Sequence, residues 1–240
     1  MENKKSILLI IPAYNEEENI LNTYKTIVDY NKKNNTNYEV IVINDGSVDQ
    51  TKNILEENKI PHINLVHNLG IGGAVQTGYK YAYEHGYDIA IQFDGDGQHD
   101  VSYVKNLVKP IIAKKADFVI GSRFIGNISE FKTSGARRLG IRIISFFIKL
   151  ASGIKIYDTT SGFRASNKDI IREFAKDYPL EYPEPITTVE LQKKGYYISE
   201  VAVNMKARSG GKSSIHTWKN VYYMINVCLS IIIASIRRYK

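Results

Sequence analysis

Five short apolar runs rich in β-branched residues, near 6–11, 38–43, 63–66, 88–93 and 117–121, alternate with segments of helical period near 16–32, 49–58, 73–85 and 101–114. Parallel strands can be joined only through a crossover, and a parallel sheet needs cover on both faces. The alternation therefore predicts an α/β domain built on a mostly parallel sheet flanked by helices. Ligands of such sheets sit beyond the carboxyl ends of the strands, and the polar clusters of the first half all fall there. The rest is less regular. An apolar basic segment at 137–151 precedes a polar one at 158–165, an acidic proline-rich patch at 181–185, a strand near 196–203 and a basic tail.

With 240 residues, 43% of them apolar and 24% charged, one domain can bury a core without disulfide or metal staples. The lone Cys228 excludes an internal bridge and fits a reducing, cytoplasmic setting. The net charge of +7 is local, because residues 201–240 hold seven Lys and Arg and no acid. Such a tail suits nucleic acid, an anionic membrane or a phosphorylated substrate. The longest apolar stretch, 221–236, is interrupted by Asn226, Ser230 and Ser235 and falls short of the roughly 18 residues that span a bilayer. Lys4 and Lys5 before the first apolar run imitate a signal peptide, but the run leads into Pro12-Ala13-Tyr14-Asn15-Glu16 and reads as a buried strand.

Four clusters follow strands. Pro12 to Glu16 and Asn44-Asp45-Gly46-Ser47 offer acids for a ribose hydroxyl or a base N–H, while Asn15 and Asp49 are placed to cap the following helices. Asn68-Leu69-Gly70-Ile71-Gly72-Gly73-Ala74 is a glycine-rich turn entering a helix, where backbone N–H groups can face a phosphate. It follows the third strand rather than the first, unlike a dinucleotide fingerprint. Asp94-Gly95-Asp96-Gly97-Gln98-His99 is the most informative: two carboxylates at i, i+2 on a strand end offer hard oxygen ligands for Mg²⁺ or Mn²⁺, and a polar turn is the plain alternative.

In this order, and with Gly121-Ser122-Arg123-Phe124 and Ser161-Gly162-Phe163-Arg164 downstream, the motifs resemble the family 2 glycosyltransferases of GT-A (Rossmann-like) fold. The likeness runs from about residue 6 to about 215 and is greatest to the dolichyl- and polyprenyl-phosphate sugar synthase branch. It implies a catalytic domain over 1–215 and an amphipathic basic helix over 216–240. It further implies a nucleotide-sugar pocket at Pro12, Ala13, Tyr14, Glu16, Asp45, Gly70, Gly73, Asp94, Gly95 and Asp96, with Asp94, Asp96 and Gln98 holding Mn²⁺ or Mg²⁺. Asn44 stands where the family usually has Asp, which puts base preference in question. Arg123, Arg137, Arg138, Arg164, Arg208, Lys212 and Ser213 are the implied acceptor and phosphate contacts, the last three in a loop that closes over the diphosphate.

The reaction expected is a single inverting displacement that moves a hexose or N-acetylhexosamine from a nucleotide sugar, UDP-linked by preference, to polyprenyl phosphate. Asp96, Arg123 and Arg208 would carry the charge that develops. A lipid phosphate is already an anion and needs no base, whereas a sugar hydroxyl on a growing cell-surface glycan would, with Glu184 as candidate base or as a structural acid. Apolar basic segments at 139–150 and 218–240, the latter with Trp218, Tyr222 and Tyr223, are expected at a membrane surface or in core or dimer helices. The chain is thus expected to be peripheral on the inner face of the cell membrane, against anionic lipid or a membrane-protein partner, with a homo-oligomer left open. A non-catalytic nucleic-acid module is disfavoured, since Asp94 and Asp96 would repel a phosphate backbone.

Overall fold

The first strand shows how two covered faces are met. In β1 (Ile7–Ala13), Ile7, Leu9 and Ile11 enter one core, Leu8 and Ile10 enter a second, and all five are buried. Alternating side chains on a continuous apolar run leave neither face for water. The computed structural model describes residues 5–126, 135–205 and 217–237, with the side chains of 136, 137 and 217–223 outside the description.

Six further strands complete one sheet: β2 (Tyr38–Asn44), β3 (His62–Asn64), β4 (Ile89–Gln92), β5 (Phe118–Ser122), β6 (Arg164–Asn167) and β7 (Ile198–Ala202). Their order is β3-β2-β1-β4-β6-β5-β7. All described pairings are parallel except those of β6, which runs antiparallel to β4 and β5. The first core is closed by α1 (Ile20–Asn34), α2 (Thr51–Glu57) and α4 (Val104–Ile112). The second is closed by α3 (Gly70–Glu84), α5 (Gly135–Ser152), α6 (Lys168–Lys176), α7 (Pro183–Lys193) and α8 (Thr217–Ile236).

Two elements differ from expectation. The strand β6 begins at the end of the segment read only as polar and is unexpected, because Arg-Ala-Ser-Asn has no β-branched residue; it forms by pairing on both sides. Helix α1 starts at Ile20 rather than near 16, and Asn15 does not cap it. With φ of 54°, Asn15 accepts from Val48 N–H at 2.9 Å and donates its own N–H to Ser47 Oγ at 3.0 Å, joining the loops after β1 and β2. Asp49 does serve the start of α2, accepting from Thr51 N–H at 2.9 Å. The segment read as a tail packs α8 against α5 and α7 and buries Val227, Ile231 and Ala234 in the second core.

The close seating of α3 on β1 depends on Gly78, where an added Cβ would overlap the Ile10 side chain. Gly78→Val is predicted to destabilise by about 1–3 kcal/mol through overpacking, read as a lowered urea midpoint at unchanged m-value. An unchanged midpoint would show that α3 can back away from β1 at no cost.

Candidate active site

The strand order reverses between β1 and β4, and a cavity of about 510 Å³ opens at the carboxyl ends of these two strands. Residues that the sequence scatters from Pro12 to Glu184 meet there. Pro12, Ala13, Tyr14 and Glu16 come from the end of β1, and Asp45 comes from the end of β2. Gly70 opens α3 on the same wall, and Asp94, Gly95 and Asp96 follow β4. Glu184, in the first turn of α7, faces them. Gly73 is not among the lining residues, lying instead one turn into α3 against the Leu69 side chain.

Asp45 is fixed by the start of α3, its Oδ1 accepting the Leu69 N–H at 2.7 Å. Its neighbour Asn44 turns away from the cavity. The buried amide of Asn44 donates to Asn64 Oδ1 at 2.7 Å and its Oδ1 accepts from Ser47 N–H at 3.3 Å, so the departure from the usual Asp lies behind the pocket wall.

Asp94 and Asp96 differ in setting. The Asp94 side chain is 34% exposed, whereas Asp96 is buried at 8% and accepts the backbone N–H of Gln98 at 3.1 Å. The Gln98 side-chain amide also donates to Asp96, and Gln98 does not line the cavity. Gln98 thus lies directly beside the Asp96 carboxylate. Among the described residues no three His, Cys, Asp or Glu side chains converge to hold an ion alone. Two carboxylates still fit Mg²⁺ or Mn²⁺, which keep several positions for water and phosphate oxygens.

Two residues that sequence reasoning passed over shape Asp94. His99, 6% exposed, accepts the Asp94 N–H through Nδ1 at 2.9 Å, and burial pushes its pKa down to about 3, so the ring is neutral. Gly162 lies across the carboxylate: a Cβ there would stand 2.9 Å from Gln92 Nε2 and 3.0 Å from Asp94 Oδ1. Glu184 sits at the foot of the cavity, where burial raises its pKa and the Arg164 guanidinium opposes that rise.

Arg164 itself corrects an expectation. It is 2% exposed and lines neither described cavity, donating from Nε to Ser161 O at 2.6 Å and from Nη1 to Glu184 O at 2.8 Å and Thr187 Oγ1 at 2.9 Å. A guanidinium closed away in this manner ties β6 to α7 and has no access to a phosphate.

A second cavity, about 770 Å³, lies beside the first and carries, among the described residues, five cations and no acid: Arg123, Arg138, Arg142, Lys149 and Lys155. Arg123 is held in a bidentate pair with the fully buried Asp158, both contacts 2.7 Å, and donates to Thr160 Oγ1 at 2.9 Å. Glu200 secures this arrangement by accepting the N–H groups of Tyr157 and Asp158 at 2.8 and 2.9 Å, and burial raises its pKa. Thr160 lines the first cavity and Arg123 the second, so their hydrogen bond marks the wall between the two. The order Asp158-Thr159-Thr160-Ser161-Gly162 was the available signal for this wall. Arg208, Lys212, Ser213 and the Arg137 side chain lie outside the described residues.

Two substitutions test this geometry. Asp158→Ala leaves the Arg123 guanidinium buried without its counter-ion and is predicted to cost about 3–5 kcal/mol, measured by urea unfolding; a loss below 1 kcal/mol would mean that Arg123 relaxes to solvent. Gly162→Ala is predicted to displace the Asp94 carboxylate and weaken Mn²⁺ binding by roughly tenfold with little change in melting temperature. Calorimetric titration showing wild-type affinity would put the Asp94 carboxylate away from the ion.

Residues 8–175 match glycosyl transferase family 2. The chain is 38% identical over 186 residues to the UDP-N-acetylglucosamine–dolichyl-phosphate N-acetylglucosaminyltransferase of Methanococcus voltae, covering 70% of this chain and 72% of that protein. It is 28% identical over 222 residues to the undecaprenyl-phosphate mannosyltransferase of Micrococcus luteus, 87% of each chain. Among solved structures, glucosyl-3-phosphoglycerate synthase from Mycobacterium tuberculosis, in complex with Mn²⁺, UDP-glucose and phosphoglyceric acid, aligns with a TM-score of 0.69 at 16% identity over 99% of this chain and 82% of that one. That likeness carries the fold, which is GT-A. With most of its length matched by one family and its sheet shared with an enzyme of that architecture, the chain belongs to glycosyl transferase family 2.

Proposed function

We propose that the protein transfers a hexose or N-acetylhexosamine from a UDP-sugar to polyprenyl phosphate, with inversion, at the surface of an anionic membrane on its cytoplasmic side. The observation that carries this reading is the contact of two unlike cavities: an acidic one at the strand switch and one whose described charged residues are all cations, parted by the Arg123–Thr160 hydrogen bond. An acidic cavity holds a nucleoside diphosphate only if a cation intervenes, and a cationic cavity suits an acceptor that is itself an anion. The names of the Methanococcus and Micrococcus relatives, which specify lipid phosphates, support the acceptor. The Mn²⁺ and UDP-glucose of the mycobacterial neighbour support the donor.

In this reading Asp45 and Glu16 meet the nucleoside, and Asp94 and Asp96 hold Mn²⁺ or Mg²⁺. The bound ion would neutralise charge on the departing diphosphate. Arg123, oriented by Asp158, presents its guanidinium where donor and acceptor phosphates approach one another. The phosphate oxygen attacks the anomeric carbon from the face opposite the leaving group, and no proton has to be removed first.

Membrane association is supported by exposed apolar rows on neighbouring helices. Leu139, Phe146 and Leu150 on α5 are 60%, 63% and 74% exposed, and Ile225, Leu229, Ile233 and Ile236 are exposed on α8. Arg138, Arg142 and Lys149 flank the α5 row, and residues 131–157 contain no acid. Two copies of this face would repel one another, whereas an anionic lipid surface complements it. No helix among the described residues is long and apolar enough to cross a membrane, so the face would lie in the headgroup plane.

A second reading, transfer to a sugar hydroxyl, has the raised Glu184 carboxyl in its favour as a base. Purified protein with Mn²⁺, UDP-, GDP- and dTDP-sugars, and polyprenyl phosphate added or omitted decides between them. Product formed only with the lipid phosphate, and kept within about threefold in Glu184→Gln, is expected; a loss of about 10²–10⁴-fold in that variant would favour the hydroxyl acceptor. The triple variant Leu139→Ser, Phe146→Ser, Leu150→Ser is expected to fold and to lose sedimentation with anionic liposomes. Unchanged sedimentation would place the membrane contact elsewhere.

A further inference from the structure

The loop that enters β6 touches Asp94 in two ways. Gly162 lies flat against its carboxylate, and the next residue, Phe163, stacks on the His99 ring at 4.5 Å between centroids and 15° between planes. Phe93, immediately before Asp94, meets the same ring edge-on at 5.4 Å. His99 is thus clamped by aromatic rings on two sides, and its orientation is fixed by packing rather than by a surface hydrogen bond.

That orientation settles the tautomer. Nδ1 lies 2.9 Å from the backbone nitrogen of Asp94, a group that can only donate, so Nδ1 carries the lone pair and the ring proton sits on Nε2. Nε2 in turn lies 3.4 Å from Asp94 Oδ2. One neutral ring therefore touches both the main chain and the carboxylate of the same aspartate. A core histidine filling space has no need of such a double contact, and the stacking alone would be met by phenylalanine.

We propose that His99 is a positioning residue for the cation site, fixing the Asp94 main chain through Nδ1 and facing its carboxylate with Nε2–H so that the outward oxygen is presented to a divalent ion. The proposal rests on the reading that Asp94 and Asp96 hold that ion. The role is that of an outer partner to a metal ligand, whose removal commonly weakens metal binding by about 10–100-fold. It also accounts for Gly162 and Phe163 following one another: a side chain at 162 would push the carboxylate off the position that the ring sets from the other side.

The test uses full-length protein with UDP and measures Mn²⁺ affinity by titration calorimetry, alongside melting temperature. His99→Phe keeps the aromatic packing and removes both polar contacts; His99→Asn keeps an acceptor at the position of Nδ1. The Phe variant is expected to melt near wild type and to bind Mn²⁺ about 10–100-fold more weakly, while Asn recovers a measurable part of that loss. In turnover assays the Phe variant is expected to need more Mn²⁺ for half-maximal rate, with kcat largely restored at saturating Mn²⁺. Wild-type Mn²⁺ affinity in the Phe variant, or an Asn variant no better than Phe, overturns the proposal. Should Phe fail to fold, His99→Gln, which carries an amide to the position of Nε2, replaces it in the same comparison, and wild-type affinity there and in Asn overturns it equally. If the wild type binds no Mn²⁺ with UDP, the reading of the donor site fails as well, a result distinct from binding by wild type and variants alike.

Discussion

The reversal of strand order between β1 and β4 is the constraint on which the rest of the structure depends. Helix α1, which leads from β1 out to β2, and helix α3, which leads from β3 back across β2 and β1 to β4, lie on opposite faces of the sheet, so a crevice remains at the carboxyl ends of β1 and β4. Every acid of the cavity at these strand ends except Glu184 reaches it from a strand end or the loop just beyond. The apolar runs that make both cores also aim these loops, since β1 and β2 remain in register from Ile7 and Tyr38 to Ala13 and Asn44. Stability and site geometry are thus one consequence of the same packing.

The antiparallel strand β6 adds what a plain parallel sheet would lack. By pairing with β4 and β5 at once, it carries Gly162 and Phe163 alongside Asp94 and leads Asp158 to Arg123. Asp158 and Arg123 are both buried, and a buried pair of this kind gains little net stability relative to apolar residues. Its value is geometric. A long side chain that would otherwise sample many rotamers is fixed on the boundary between an acidic and a cationic cavity.

The sequence was most legible where local pattern and function coincide. Alternating apolar runs foretold the parallel strands, and the polar residues after β1, β2 and β4 do meet in one cavity. It was least legible where a residue's partner is remote. Arg164 is the residue type of a phosphate contact, yet its partners are the Ser161 carbonyl and, from α7, the Glu184 carbonyl and the Thr187 hydroxyl. Asn44 looked like a change in the nucleotide pocket, but a strand residue alternates in direction and this one faces β3. His99 carried no signal of its own beside the two aspartates, because its importance lies in rings 6 and 64 positions away in sequence that clamp it.

The central claim is that donor and acceptor phosphates occupy adjoining cavities separated by Arg123 and Thr160. The most direct measurement is the ³¹P resonance of a short-chain polyprenyl phosphate bound to the protein with UDP and either Mn²⁺ or Mg²⁺. The account predicts strong paramagnetic broadening of the lipid phosphate signal with Mn²⁺ that is absent with Mg²⁺ and is lost when Asp96→Asn removes the ion. A lipid phosphate that binds but shows the same linewidth with both ions would place the acceptor away from the donor cavity and contradict the account.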